Sequence, residues 1–80
     1  MKIYDFAGKK NICGKRVKEA RKKQKITQID LAARLQIEGI IIERDSVSRI
    51  EIGTRFVADY ELPALAKCLN VSVNWLLGLE

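Results

Sequence analysis

Apolar positions recur at three- and four-residue spacing along most of the chain, and β-branched alternation is nearly absent. That pattern predicts helices rather than strands. Over residues 12–24, Cys13, Val17, Ala20 and Gln24 share one narrow face, Lys15, Lys18, Glu19 and Lys22 take the other side, and Arg21 stands at the flank. A second helix is announced by Thr27 as N-cap, with Asp30 three residues on completing an imperfect capping box, since Glu or Gln is the preferred partner. Ile26 and Leu31 occupy the staple positions, Leu31, Ala32 and Leu35 supply the buried face, and Gly39 is the stop signal.

Ile40, Ile41 and Ile42 are read as a buried connection, because a three-residue run with no pairing partner does not make a strand. A third helix is expected from about Arg44 to Ile52, ended by Gly53. On a wheel of about 100° per residue, Val47 and Ile50 fall together, with Ser46 and Glu51 beside them. Asp45, Ser48 and Arg49 project nearly opposite, and Arg44 lies at the edge near the helix start. One side of this helix packs and the other presents charge and hydroxyls. A fourth helix is opened by Asp59 or Glu61, carries the stripe Leu62, Leu65, Ala66 and Leu69, and holds Pro63 in its first turn, where a missing N–H costs least. Asn70 closes it, Ser72 caps a short fifth helix, and Val71 with Leu76 form a staple. The expected fold class is all-α, a compact bundle of five short helices spanning residues 11–78 as one domain.

Composition sharpens the picture. Of the 80 residues, 48% are hydrophobic and 31% charged, the make-up of a globular chain. No apolar run reaches membrane-spanning length, MKIYDFAGKK lacks the apolar middle of a signal peptide, and two cysteines without any histidine suit a reducing cytosol better than a disulfide framework or a zinc site. The chain is therefore read as cytoplasmic and cofactor-free, without a metal. The net charge of +5 is uneven: residues 1–25 carry +8 and residues 26–80 carry −3. A basic first third suggests a polyanionic partner, and a lysine-rich solvated helix is the plain alternative. Enzymatic activity is not expected, because there is no Gly-rich phosphate loop, metal-ligand cluster or interpretable carboxylate pair. Cys13 and Cys68 read as structural.

The strings "KRVKEARKKQKITQIDLAARL", "DSVSRIEIGTR" and "ALAKCLNVSVNWLLG", in this order and spacing, resemble the lambda-repressor-like, or Cro/XRE-type, helix-turn-helix family over residues 11–78. The resemblance implies a sequence-specific double-stranded DNA-binding regulator, a bacterial or phage repressor, whose third helix enters the major groove. It implies base contacts from Arg44, Asp45 and Arg49, with Ser46 and Ser48 supplementary. Arginine's paired donors match guanine O6 and N7, and Asp45 either accepts from cytosine N4 or holds Arg49 in position. Gln28 at a helix N-terminus and Thr54 and Arg55 after the third helix are implied phosphate contacts. Arg21 and Glu51 are implied as an ion pair tying the first helix to the third, as scaffold. A homodimer on DNA is expected, paired through the last helices with Trp75, Leu76 and Leu77 as candidates, although filling the monomer core is the simpler role for Trp75 and Leu76.

The sequence departs from the family pattern between Leu35 and Val47, where about five extra residues extend the connection and carry the second helix on towards Glu38. Glu43 replaces the usual small hydroxyl cap of the third helix and is a weaker one. Residues 1–10 lie outside the resemblance and read as a disordered, basic-tipped tail, with an arm reaching DNA as the alternative. The competing function is a protein-interaction adaptor or antitoxin on the same fold, with a protein partner; a membrane-surface role for the first helix is disfavoured by its narrow apolar face without aromatics.

Overall fold

A computed structural model describes residues 6–80. Its helices are α1 (Gly14–Lys23), α2 (Gln28–Ile37), α3 (Arg44–Ile52), α4 (Glu61–Leu69) and α5 (Val73–Leu76). Their inward stripes meet in one core containing Val17, Leu31, Leu35, Val47, Ile50, Leu65, Leu69 and Leu76, all essentially buried. α3 packs against both α1 and α2, so the third helix is gripped from two sides.

Every helix begins or ends on a recognisable local device. The Thr27 hydroxyl accepts from Asp30 N at 3.0 Å and Asp30 Oδ2 accepts from Thr27 N at 2.9 Å, so Asp closes the capping box despite being the less preferred partner. These Thr27 hydrogen bonds hold the Asp30 carboxyl below its ordinary value. Ser72 Oγ accepts from Trp75 N at 2.9 Å and starts α5. At the C-termini, Lys25, Gly39, Gly53, Asn70 and Gly78 all adopt left-handed φ. Each donates its N–H back three residues, and the following residue donates back five, as in Thr54 N to Arg49 O at 2.9 Å. All five helices thus end in the same Schellman arrangement. α4 opens at Glu61, the second of the two expected starts, and Pro63 stands in its first turn.

Two expectations are corrected. The isoleucines after α2 are not a uniformly buried connection: Ile42 is 4% exposed and Ile41 is 90% exposed, with Ile40 between. Once Gly39 reverses the chain and Ile40 closes the Schellman motif through its N–H to Leu35 O, successive residues of the extended link must point in alternating directions. Arg21, read as standing at the flank of the α1 stripe, is buried, whereas Gln24, read as a member of it, follows the helix and is only half-buried. Gln24 instead donates to Leu69 O and accepts from Arg34 Nη1 at 3.0 Å, joining the ends of α1, α2 and α4. Leu76 takes the simpler of its two expected roles and is fully buried in the core, while the half-buried Trp75 and Leu77 retain exposed surface. Trp75 is further held by Arg16, whose guanidinium lies 4.9 Å from its ring and donates to its carbonyl at 2.8 Å.

Of the segment 1–10, residues 1–5 lie outside the described residues. Phe6 and Lys9 exchange both backbone hydrogen bonds in a tight turn, Lys10 N donates to Gly53 O at 2.7 Å, and Lys9 Nζ donates to Ile52 O at 2.9 Å. This turn satisfies carbonyls at the negative end of α3 and places a cation there.

Candidate nucleic-acid interface

The outward face of α3 follows from which of its residues the core takes. Val47, Ile50 and Glu51 are buried, leaving Arg44, Asp45 and Arg49 exposed and Ser46 and Ser48 half-buried at the boundary. The Arg49 side chain has no hydrogen-bond or ion-pair partner among the described residues, so its guanidinium is free to meet a ligand. Arg44 is different. Its Nη2 lies 2.8 Å from Asp45 Oδ1, and its Nη1 donates to Gln28 Oε1 at 3.4 Å. The α3 N-terminus has no side-chain cap, because Glu43 makes no capping hydrogen bond.

Gln28 opens α2 and connects this face to the interior. Its Nε2 donates to Glu51 Oε1 at 3.0 Å, and Glu51 is itself paired with Arg21, Nε to Oε2 at 2.6 Å and Nη2 to Oε1 at 3.1 Å. Arg21 Nη1 also donates to Ile26 O at 2.9 Å, fixing the turn between α1 and α2. The structure therefore brings Arg21, Glu51, Gln28, Arg44 and Asp45 into one unbroken chain of hydrogen bonds. Both ends of the Gln28 amide are assigned by chemistry, since a carboxylate only accepts and a guanidinium only donates.

Thr54 and Arg55 sit just past α3. Thr54 remains exposed, its N–H tied to Arg49 O. Arg55 is drawn inward: it grips Glu61 with Nη1 at 3.0 Å and Nη2 at 3.1 Å and donates to Phe56 O at 2.8 Å. Burial works against the charge on Glu61, but the Arg55 hydrogen bonds and a further one from Ala58 N outweigh it and hold the carboxyl below its ordinary value. Arg55 and Glu61 together pin the α3–α4 loop.

Three contributors escaped the sequence reading. Asn11 donates to Ile50 O at 3.1 Å and to Arg55 O at 2.8 Å while accepting from Gly14 N at 2.8 Å, so one amide side chain joins the start of α1 to the end of α3. Gly14 lets that approach happen, because a Cβ there would collide with the Ile50 carbonyl oxygen. Glu61 supplies the counter-charge for Arg55. A glycine at the first position of a helix is the one signal in the sequence that pointed towards this contact; nothing local marks Asn11 or Glu61.

The described residues contain no cluster of metal-binding side chains and no helix long and apolar enough to cross a membrane. Burial, the largest influence on both thiols, pushes Cys13 and Cys68 above the ordinary thiol value. Neither is activated as a nucleophile.

A family profile described as helix-turn-helix, HTH_3, matches residues 17–76. Among solved structures, the P22 c2 repressor protein in complex with synthetic operator 9T is similar at a TM-score of 0.73 and 27% identity, covering 88% of this chain and 98% of that one. The restriction-modification controller protein C.AhdI from Aeromonas hydrophila is similar at 0.70 and 26% identity, covering 80% and 86% respectively. No curated protein sequence matches the chain.

Proposed function

Because the chain belongs to the Cro/C1-type, lambda-repressor-like helix-turn-helix family, whose members here are DNA-binding transcription regulators, we propose that it is a sequence-specific repressor of bacterial or phage type, acting in the cytoplasm. In this reading α3 lies in the major groove of double-stranded DNA, with Arg44 and Arg49 meeting base edges, Ser46 and Ser48 supplementing them, and Asp45 on the same face beside Arg44. Gln28, Thr54 and Arg55 face the phosphates, where they set register and supply salt-dependent affinity. For Arg55 that contact uses the N–H groups left over from Glu61. Two copies occupy half-sites about 34 Å apart, and repression follows from occupying the operator.

The observation that supports this most is the coincidence of two things: a free Arg49 beside a tethered Arg44 on the outward face of a helix held from behind, and a similar protein solved on its operator. The exposed Ile37 and Ile41 favour a second reading, in which the same fold also docks a protein.

Selection of bound 30-base-pair duplexes from a random pool, wild type beside Arg49→Ala, tests the proposal. Enrichment of an inverted repeat that the variant weakens or relaxes is expected. No enriched sequence for either protein overturns base reading and favours a protein partner.

A further inference from the structure

The chain of hydrogen bonds on the outward face carries a conclusion about Asp45. Neighbouring residues of a helix do not face one another, yet Arg44 bends back so that its Nη2 meets Asp45 Oδ1 at 2.8 Å. Both side chains are largely exposed, at 53% and 70%, and exposed ion pairs contribute little to stability. What the contact does achieve is geometric. Arg44 is held on one side by Asp45 and on the other by Gln28, which Glu51 fixes from the interior. Its remaining N–H donors are enough for the two acceptors that guanine presents in the major groove.

Resting on the DNA-reading function above, we propose that Asp45 is a positioning residue that acts through Arg44 and makes no base contact of its own. The carboxylate has a second effect. The Arg44–Asp45 pair taken together carries no net charge, so it gains little from any phosphate it passes, whereas the directional bonds of Arg44 to guanine remain available. Asp45 therefore lowers attachment to arbitrary DNA and raises discrimination at one base pair. The bare carboxylate would be repelled by the backbone; as the partner of Arg44 it is not. Asp45 also lies in the first turn of α3, where a negative charge suits the helix dipole, and that simpler role predicts a loss of stability with no change in base preference.

The test uses the full chain and the duplex enriched from the random pool. Binding of wild type, Asp45→Asn, Asp45→Glu, Arg44→Ala and the Arg44→Ala/Asp45→Asn double variant is measured on that duplex, on single-base-pair variants of it and on an unrelated duplex, with melting by circular dichroism as the check of folding. Asp45→Asn is expected to bind the unrelated duplex several-fold more tightly and to lose about tenfold in discrimination at the same base pair that Arg44→Ala relaxes. Asp45→Glu keeps most of that discrimination, and the double variant is no less selective than Arg44→Ala alone. Relaxation at a different base pair, additive losses, or an unchanged preference overturns the assignment. A wild-type protein that enriches no duplex overturns the DNA-reading function and this assignment with it.

Discussion

Glu51 Oε2 lies 2.6 Å from Arg21 Nε inside the bundle, and the second oxygen of the same carboxylate accepts from Gln28 Nε2 at 3.0 Å. A single buried carboxylate thus ties α1 to α3 and aligns the first residue of α2. The pair's side chains are only 11% and 2% exposed, so removing one partner leaves the other charge stranded out of water. Arg21→Met or Glu51→Gln alone is expected to lose about 3–5 kcal/mol, a large part of what so small a domain has. Arg21→Met combined with Glu51→Leu recovers most of it. Urea unfolding of the two singles and the double variant measures the difference, and a double variant as weak as the singles contradicts the burial argument.

Gly14 offers a test in which two effects have opposite sign. Alanine is favoured over glycine inside a helix by about 1 kcal/mol, which on propensity alone predicts that Gly14→Ala stabilises α1. The Ile50 carbonyl occupies the space a Cβ needs, so the account predicts a loss of about 1–3 kcal/mol and a separation of α1 from α3. A higher melting temperature for Gly14→Ala contradicts the close approach.

Lys25 closes α1 with φ of +60° and is exposed, one of three described non-glycine residues in the left-handed region. A side chain there costs roughly 1–2 kcal/mol that glycine avoids, partly offset by glycine's greater freedom when unfolded. Lys25→Gly is expected to raise stability by about 1 kcal/mol, or about 4–8 °C in Tm for a domain of this size. Thermal unfolding followed by circular dichroism reads it directly.

The Arg55–Glu61 pair sets an acid limit. Because the folded carboxyl of Glu61 is held below its ordinary value of about 4.3, its contribution is fully present above that value and is lost as pH falls through the lower, folded value. Asp30 acts in the same direction. Stability is therefore expected to fall with acidification below about pH 4.3, and Glu61→Gln, which keeps shape but not charge, flattens part of that slope. A Glu61→Gln variant with the wild-type pH dependence contradicts the assignment.

Much of this was legible in the chain because it is local. Thr27 with Asp30, Ser72 at the start of α5, Gly53 and Asn70 as stops, and the Val47/Ile50 stripe all act within a turn or two of helix, and the structure has each of them in place. The family resemblance then placed Arg21 opposite Glu51, which helical spacing alone does not do. What stayed hidden depends on residues far apart in sequence. The Asn11 amide meets carbonyls about forty positions away, Gln24 meets Leu69, and Arg55 turns inward only because the loop returns Glu61 to it. Ile41 was misjudged because an apolar run says nothing about which of its members an extended link turns outward.

The claim that the outward face of α3, with the start of α2, is the reading surface is tested most directly by amide chemical shifts of the isotope-labelled protein as the enriched duplex is added. The account predicts that the largest changes fall on Gln28, Arg44 to Arg49, Thr54 and Arg55, with α5 and the exposed side of α2 from Ile29 to Ile37 little affected. Changes concentrated at the end of α2 and the link after it, around Ile37 and Ile41, or along the lysine face of α1, with α3 unmoved, would contradict it.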